Sequence, residues 1–495
     1  MARTPVTPSA APRRRRLLAE LGAILPAEAI VHDPAELGPY ECDGLTMHRQ
    51  LPMLVALPTA SGQVRDIVRL CAREGVPLVA RGAGTSLSGG AMPLADGILL
   101  NLSKMNRILA IDADNLQAVA QPGVTNLALS EAAAPHGLFY APDPSSQQAC
   151  SIGGNVAENA GGIHCLKYGL TVHNLQRLQV VAADGAVLEI GARAPDAPGY
   201  DLAALLTGSE GMLGIVVEVT VKLLPKIAAA RLMLVAFGEL EDASGAVADI
   251  IAAGIVPAGL EMLDNPAIRA VEAFVHAGYP TDAAAILLCE LDGDPADIER
   301  QCAAVREICG ARRARGIETA DDEAHRQRLW AGRKASFPAV GRLAPDYYCM
   351  DGTIPRRRLS EVLRRIAELS EKYGLAVANV FHAGDGNLHP LIMYDANKPG
   401  EAGRVESFGE EILAACVAAG GTITGEHGVG VEKLNSMCGQ FTRAELEQFH
   451  RLKAAFDPDG ILNPGKAIPT LRRCAELGAM HVHGGRTAHP ELPRF

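Results

Sequence analysis

Residues 79–90 read VARGAGTSLSGG and carry glycines at positions 82, 84, 89 and 90. Because glycine lacks a Cβ atom, successive backbone N–H groups in such a stretch can converge on one anion. A short buried strand is predicted over residues 78–80, immediately before the glycines. The helix before that strand can begin with Ser61 as its cap and end at Gly75 and Pro77. This pattern predicts a loop that binds a phosphate or a pyrophosphate.

Two other interpretations of this stretch stay open at this point. A dinucleotide-binding Rossmann turn would place its third glycine at Leu87 and continue into an amphipathic helix. Residues 97–102 (GILLNL) instead predict another strand, which disfavours that turn. A structural turn without any ligand would need the same glycines.

Further glycine-rich stretches favour ligand binding over bare turns. Residues 141–146 (APDPSS) lead into residues 150–162 (CSIGGNVAENAGG), and residues 208–215 read GSEGMLGI. Small residues allow the backbone to lie directly against a flat or extended ligand. The amide groups of Asn155 and Asn159 could reach the edge of a ring. We therefore expect one ligand site built from several loops of the same domain.

Composition excludes several classes of protein. The 495 residues allow two or more domains, and 46 basic against 57 acidic residues give a net charge of −11 without a long basic tract. Nucleic acid is therefore not an expected partner. No window approaches the ~20 apolar residues of a membrane span. The 11 cysteines include no C-x-x-C pair, which predicts reduced thiols in a cytosolic compartment and no iron–sulfur cluster in this chain.

The two halves of the chain differ in pattern. Up to about residue 225, short strands and glycine-rich turns dominate, including a hairpin over residues 180–188 that turns at Asp184-Gly185. The second half predicts an α+β domain with helices on one face of an antiparallel sheet. Its predicted strands cover residues 232–237 and 285–291, and its predicted helices cover residues 241–253, 296–309, 357–373 and 401–419.

Two histidine-containing clusters in the second half suggest a metal site. Residues 382–389 (HAGDGNLH) place His382 and His389 around a glycine-rich turn, and residues 425–428 read GEHG. His382, His389 and Glu426 form a ligand set for a divalent metal, with zinc as the default ion and manganese as the second candidate. His427 is then free to act as a general base. Each histidine alone could equally be a buried core residue.

Motifs across almost the whole chain resemble the FAD-linked D-2-hydroxy-acid dehydrogenases of the vanillyl-alcohol-oxidase flavoprotein superfamily. The resemblance is carried by residues 39–44 (PYECDG), 81–86 (RGAGTS), 142–162, 347–355 (YYCMDGTIP), 382–389 and 425–428. It implies an α+β fold with a two-part FAD-binding domain of the PCMH type, a ferredoxin-like substrate domain over the isoalloxazine ring, and a C-terminal return segment. The implied bounds are a lead-in over 1–50, the FAD-binding domain over 51–225, the substrate and metal domain over 226–456, and the return segment over 457–495.

The resemblance also implies roles for individual residues. Arg333 matches the arginine that binds the substrate carboxylate, with Lys334 and Arg342 as candidates of lower weight. Thr85 stands where tethered relatives carry a histidine, so FAD should bind non-covalently. Leu391 stands where enzymes for larger diacids carry asparagine, which implies a small substrate. The expected cofactor-binding residues are Arg81, Gly82, Ala83, Gly84, Thr85, Ser86, Pro142, Ser151, Gly153, Gly154, Asn155, Asn159, Gly161, Gly214, Ile215 and Asn463.

The implied activity is oxidation of a small 2-hydroxy acid, with glycolate first and D-lactate second. The resemblance further implies two partners, a second FAD-binding subunit and an iron–sulfur subunit, and a cytoplasmic chain that is peripheral to the inner membrane through them. Two alternatives are a non-catalytic subunit that only holds FAD and a pyridine-nucleotide-dependent flavin reductase. An intact set of three histidines and Glu426 argues against the first, and the lack of a further dinucleotide motif argues against the second. His481, His483 and His489 receive no role.

Overall fold

A computed structural model describes residues 10–194, 199–470 and 474. The histidines at positions 481, 483 and 489 lie outside the described residues. The N-terminal half contains short strands and helices. The strands are β1 (Ile30–Val31), β2 (Leu54–Ala56), β3 (Leu78–Arg81), β4 (Ile98–Asn101), β5 (Ile108–Asp112), β6 (Gln117–Ala120), β7 (Leu138–Phe139), β8 (Leu175–Val181), β9 (Val187–Gly191), β10 (Ile215–Lys222) and β11 (Leu224–Pro225). The helices are α1 (Ala10–Gly22), α2 (Ser61–Glu74), α3 (Asn126–Ala133), α4 (Ile152–Glu158), α5 (Cys165–Tyr168) and α6 (Leu202–Leu206).

Two separate sheets form this half, as the predicted two-part domain requires. The first has the order β1-β2-β4-β3, in which β2, β4 and β3 are parallel. The second has the order β5-β6-β10-β8-β9 and is antiparallel. The glycine-rich residues 82–90 follow β3 directly, and Gly82, Ala83 and Gly84 line a cavity. The fold therefore exposes this loop to a ligand.

Local sequence signals explain most of these elements. Val64, Ile67 and Cys71 lie on one buried face of α2, and Gly75 ends the helix at φ +59°. The prediction that Ser61 caps α2 is wrong, because Ser61 is the first helical residue and the cap position is occupied by Ala60. The predicted hairpin is confirmed, since β8 and β9 pair on either side of Asp184-Gly185.

The second half is built on one antiparallel sheet. Its strands are β12 (Ala229–Phe237), β13 (Gly259–Asp264), β14 (Ala285–Gly293), β15 (Ala314–Thr319), β16 (Asp346–Cys349), β17 (Gly352–Thr353), β18 (Val377–His382) and β19 (Asn387–Tyr394). Their order is β15-β12-β14-β13-β18-β19-β16, with β17 also paired to β19. The helices are α7 (Leu240–Ala252), α8 (Asn265–Val275), α9 (Pro295–Ala311), α10 (Glu323–Lys334), α11 (Ser336–Val340), α12 (Leu359–Tyr373), α13 (Glu401–Ala418), α14 (Leu434–Gln440) and α15 (Arg443–Phe456).

The prediction of helices on one face of this sheet is wrong, because helices cover both faces. Helices α7, α9, α12 and α13 pack with Met233 and Val235 on one face, while α8, α10 and α11 pack with Leu232 and Leu234 on the other. The strands β12 and β14 are buried on both faces, so each face must be covered. The second face also carries the polar residues of the candidate site.

The predicted C-terminal return is confirmed at β3. The backbone N–H of Leu78 donates to the carbonyl of Ile461 at 2.8 Å, and the N–H of Asn463 donates to the carbonyl of Leu78 at 2.8 Å. The segment after α15 thereby extends the first sheet next to the glycine-rich loop.

Two further observations concern the cysteines and the membrane. The structure joins Cys438 to Cys474 in a disulfide, so the prediction that all thiols are reduced is wrong for this pair. The long spacing of 36 residues between them carried no sequence signal for pairing. Across the ranges that the structure covers, no helix combines the length and the apolar composition that crossing a bilayer requires.

Candidate functional site

A cavity of about 570 Å³ lies between the glycine-rich loops of the first half and the polar face of the second sheet. Its walls include these predicted cofactor-binding residues: Arg81, Gly82, Ala83, Gly84, Thr85, Ser86, Ser151, Gly153, Gly154, Asn155, Gly214 and Ile215. One end is lined by Lys334, Phe337, His389, Glu426 and His427. The cavity thus brings the predicted phosphate-binding loops and the predicted histidine cluster into one space.

Glycine at position 82 is required by the close approach of two loops. A Cβ atom there would collide with the hydroxyl of Ser151, which caps α4 by accepting from the N–H of Gly154 at 3.3 Å. Gly84 has φ +75°, and a side chain there would meet the guanidinium of Arg81. These contacts pack backbone rather than side chains along the cavity wall, which suits an extended ligand with phosphate groups.

The asparagines of the second glycine-rich stretch form hydrogen bonds with neighbouring segments of the first half. Asn155 lines the cavity, but its Oδ1 accepts from Asn126 at 3.0 Å. Asn159 does not line the cavity; it ends α4 at φ +54°, and its Oδ1 accepts from the N–H of Val172 at 3.0 Å. The carbonyl of Pro142, also outside the lining, accepts from Asn126 at 3.0 Å. Their contact with a cofactor stays a prediction.

Two further predicted residues lie behind the cavity wall. A Cβ atom at Gly161 would come within 2.6 Å of Glu426 Oε2, so glycine allows the first half to approach the histidine cluster. Asn463 is 1% exposed, and its Nδ2 donates to the carbonyls of Gly90 at 3.0 Å and Glu210 at 2.7 Å. Asn463 therefore fixes two residues that do line the cavity.

The two predicted histidine ligands lie on neighbouring strands of the same sheet face. His382 ends β18 and His389 belongs to β19, and their ring centroids are 5.1 Å apart. Glu426 Oε1 lies 3.1 Å from His382 Nε2 and 3.4 Å from His389 Nε2. One ligand atom from each of the three residues falls within 4.8 Å of the others. The register of the hairpin and the loop after α13 thus assemble the predicted triad.

The donor set fits a divalent metal. His389 is 2% exposed, and neither of its ring nitrogens forms a hydrogen bond with a described residue. Burial alone would raise the pKa of Glu426, but the nearby imidazoles, His382 foremost, lower it to about 2. Two imidazoles and one carboxylate are a common zinc set that leaves a position open for substrate. His382, His389 and Glu426 would hold such an ion.

His427 lies beside this triad with a different environment. Its ring is stacked on that of His389, with centroids 4.9 Å apart and planes 1° from parallel. Burial lowers the pKa of His427 to about 4, and the charge of Asp351 only partly opposes this effect. The imidazole is therefore neutral near pH 7 and is able to accept a proton.

Asp351 anchors the loop that carries Glu426 and His427. Its carboxylate accepts the backbone N–H groups of Gly425 at 3.0 Å, Glu426 at 3.2 Å and His427 at 3.0 Å, and it pairs with Lys433 Nζ at 3.0 Å. Burial would raise the pKa of this carboxyl, but Lys433 and the histidines hold it well below its usual range. The sequence analysis quoted Asp351 within a motif without assigning it a role.

Glu261 was missed entirely by the sequence analysis. It lies on β13 with 1% exposure, and its Oε1 is 2.9 Å from His382 Nδ1. Its Oε2 accepts from Arg333 Nε at 2.7 Å. A signal was available, because Glu261 stands between the apolar residues Leu260 and Met262 within a strand that is buried along its whole length.

The three predicted cations occupy different places. Arg333 is 1% exposed and does not line the cavity, since its guanidinium is paired with Glu261. Lys334, on the same helix, lines the cavity. Arg342 lies over the ring of Phe274 at 5.3 Å, away from the cavity lining.

A pair of buried carboxyl groups also lines the cavity and was not predicted. Glu210 accepts the N–H groups of Val429 at 2.7 Å and Gly430 at 2.8 Å, which ties the first half to the loop after His427. Burial, reinforced by the neighbouring Glu210, raises the pKa of Glu158 well above its usual range. Burial and the charge of Glu210 thus both favour the neutral form of Glu158.

Comparison with known proteins identifies the family. The model of the FAD binding domain matches residues 52–191, and the model of the C-terminal domain of FAD linked oxidases matches residues 226–467. The glycolate oxidase subunit GlcD of Escherichia coli K12 is 60% identical over 97% of this chain and 97% of its own length. The D-lactate dehydrogenase of Archaeoglobus fulgidus is 33% identical over 84% of this chain and 92% of its own length. The chain therefore belongs to the FAD-linked oxidase family.

A solved structure supports the fold. Substrate-bound p-cresol methylhydroxylase matches with a TM-score of 0.78 and 18% identity, over 94% of this chain and 98% of that chain. The predicted fold class, the FAD cofactor and the class of FAD-dependent oxidoreductase are confirmed.

Proposed function

We propose that this chain oxidises glycolate to glyoxylate with FAD as the hydride acceptor. The observation that carries the proposal is the arrangement of three histidines and Glu426 at one end of the glycine-lined cavity. A relative that is 60% identical carries the name glycolate oxidase subunit, which supports the substrate. A subunit that only held FAD would not need this buried cluster.

The chemistry divides between the bound groups and the chain. When bound, FAD supplies the acceptor for the α-hydrogen, and the metal held by His382, His389 and Glu426 supplies Lewis acidity toward the hydroxyl. His427 removes the hydroxyl proton, since its low pKa leaves a free ring nitrogen near pH 7. Asp351 holds the N–H groups of that loop and so fixes the base next to the triad.

The substrate carboxylate requires cations at the same end of the cavity. We assign the binding of the substrate carboxylate to Arg333, with Lys334 as a second contact. Arg333 lies behind the cavity wall, where Nε donates to Glu261 Oε2 and Nη2 lies 2.7 Å from the same oxygen, so a bound carboxylate reaches its remaining N–H groups only when the wall shifts. Lys334 lines the cavity directly.

D-lactate is the second candidate substrate. The relative from A. fulgidus named D-lactate dehydrogenase supports it. The argument for a small substrate from Leu391 receives no support from the cavity, because Leu391 is fully buried and does not belong to the lining. Phe337 and Pro338 instead form that end of the wall, and the bulk there suits a short 2-hydroxy acid.

Two further proposals concern FAD and the partners. Thr85 lines the cavity and has no nucleophilic nitrogen, so FAD binds without a covalent link. A relative named as a subunit supports partner subunits, and we propose a second FAD-binding subunit and an iron–sulfur subunit that accept the electrons. The chain then works in the cytoplasm, peripheral to the inner membrane through these partners.

Steady-state oxidation with an artificial electron acceptor tests the proposal. Glycolate, D-lactate and L-lactate are compared, with and without a chelator. The expected result is the highest kcat/KM for glycolate and loss of turnover after chelation. A substantially higher kcat/KM for D-lactate would make the second candidate the substrate, and full turnover after verified metal removal would exclude the metal role.

A further inference from the structure

One buried carboxylate connects the metal triad to the cation proposed for substrate. Glu261 Oε1 lies 2.9 Å from His382 Nδ1, and Glu261 Oε2 lies 2.7 Å from both Nε and Nη2 of Arg333. Glu261 and Arg333 are each 1% exposed, and His382 is 3% exposed. The three side chains therefore form a continuous buried chain that ends at the ligand atom His382 Nε2.

The contact at Nδ1 determines which ring nitrogen of His382 faces the other two metal ligands, His389 and Glu426. A carboxylate at Nδ1 keeps the proton there and leaves the Nε2 lone pair for a metal, and it also fixes the plane of the ring. His382 Nε2 lies 3.1 Å from Glu426 Oε1, within the group of ligand atoms. Without the carboxylate, the ring could rotate or take the other tautomer.

The ion pair with Arg333 lowers the free-energy cost of burying the Glu261 carboxylate in the core. A buried, unpaired carboxylate is strongly destabilising, whereas a charged partner with good hydrogen-bond geometry offsets much of that cost. His382 and Arg333 also hold the pKa of Glu261 below its usual value, against the effect of burial. Glu261 in turn limits the guanidinium of Arg333 to one orientation.

We propose that Glu261 is a positioning residue that orients His382 as a metal ligand and holds Arg333 in place for the substrate carboxylate. This inference rests on the proposed metal site and on the proposed role of Arg333. Glu261 touches neither FAD nor substrate in this assignment, and it acts through its two neighbours.

The test compares Glu261→Gln with Glu290→Gln in the FAD-loaded full chain. The amide of Glu261→Gln has the same shape but offers an acceptor at one end only, so it cannot accept from both His382 and Arg333. Glu290 is a matched control, because it is a buried carboxylate on the neighbouring strand β14 whose partners are Arg326, Trp330 and His164.

Affinity for Zn²⁺ and for Mn²⁺ is measured by calorimetry without substrate, and FAD content is measured by visible absorbance. Glu261→Gln should weaken metal affinity by about 10–100-fold, the usual range for loss of such a partner. Glu290→Gln should bind metal as the wild type does. At saturating metal, Glu261→Gln should also raise KM for glycolate more than it lowers kcat, because Arg333 loses its anchor. Unchanged metal affinity in Glu261→Gln, or an equal loss in Glu290→Gln, would overturn the inference.

A second variant covers the case in which Glu261→Gln does not fold, as judged by circular dichroism and FAD content. Glu261→Asp keeps the negative charge but shortens the side chain by one methylene, which withdraws the carboxylate from both His382 and Arg333. It should still bind metal more weakly than the wild type, and wild-type affinity would contradict the inference. Because the metal-affinity measurements use no substrate, they remain valid if glycolate is not oxidised. A wild-type chain that binds no divalent ion would overturn the inference and leave flavin-dependent oxidation untouched.

Discussion

The imidazole rings of His389 and His427 lie parallel, with centroids 4.9 Å apart. His389 faces Glu426 and the ring of His382, whereas His427 has its backbone held by Asp351 and a pKa lowered to about 4 by burial. Two adjacent histidines in one stack thus have environments that suit different roles. The environment of His389 suits a metal ligand, and the environment of His427 suits a base that is neutral at physiological pH.

His427→Ala should therefore separate metal binding from turnover. We expect kcat for glycolate to fall by about 10²–10⁴-fold, the usual contribution of a general base. Metal content, measured by elemental analysis, should stay at the wild-type level because His382, His389 and Glu426 remain. The exposed His136 provides a control, and His136→Ala should leave both quantities unchanged. Near-normal turnover of His427→Ala would move the base to another residue.

FAD should be released completely by acid precipitation. We expect the glycine-rich loops that line the cavity to hold the cofactor without a covalent bond, because Thr85 cannot form a histidyl link. The measurement is the flavin absorbance of the supernatant against that of the pellet. Yellow colour that stays with the precipitated protein would show a covalent bond through another side chain.

Two glycine substitutions should differ in their effect on FAD binding. Gly82→Ala places a Cβ atom against the hydroxyl of Ser151 and should lower FAD occupancy, read from the ratio of flavin to protein absorbance. Gly62 lies in α2 with open space around it, and Gly62→Ala should leave FAD bound. This control should also raise the free energy of unfolding by about 0.5–1 kcal/mol, because alanine favours a helix. Full FAD occupancy in Gly82→Ala would contradict the proposed packing of the two loops.

Glu290 should make stability depend on acid pH. Burial would raise the pKa of Glu290, but His164, Trp330 and Arg326 outweigh it and lower the pKa to about 2 from an ordinary value of 4.5. A depressed native pKa means that the contribution is fully present above pH 4.5 and is lost as the pH falls toward 2. The free energy of unfolding of Glu290→Gln should therefore fall less steeply than that of the wild type over this window. Parallel curves in urea titrations at each pH would exclude this linkage.

Reduced enzyme should react slowly with oxygen if partner subunits take the electrons. After anaerobic reduction by glycolate, the isolated chain is exposed to air, and flavin absorbance and hydrogen peroxide are followed together. We expect slow recovery of absorbance and little peroxide. Rapid, stoichiometric peroxide formation would mean that the chain is a self-sufficient oxidase.

The sequence predicted the features that depend on local pattern. Glycine spacing over residues 79–90 predicted the loop on the cavity wall. The two histidine-containing clusters predicted the triad of His382, His389 and Glu426, which the β18–β19 hairpin and the loop after α13 bring together. Apolar periodicity predicted two of the eight described strands of the second half, β12 and β14, and four of its nine described helices, α7, α9, α12 and α13. These features are readable because the residues that form them are close together or carry a distinctive motif.

Features that depend on distant contacts were not predictable. Glu261 precedes His382 by 121 residues, and only the neighbouring positions of β13 and β18 bring the two together. The second layer of helices depends on which helices pack on each face of the buried strands β12 and β14, and contacts between segments that are distant in the sequence decide this. The disulfide between Cys438 and Cys474 depends on where the chain after α15 returns to α14.

Anaerobic mixing of the metal-loaded chain with glycolate tests the central claim most directly. Flavin absorbance and glyoxylate are measured in a single turnover, in the wild type and in His427→Ala. The account predicts that glycolate bleaches the flavin of the wild type with one glyoxylate formed per FAD reduced, and that His427→Ala does so at least about 100-fold more slowly. A wild-type flavin that stays oxidised with saturating glycolate, while metal and FAD are both bound, would contradict it.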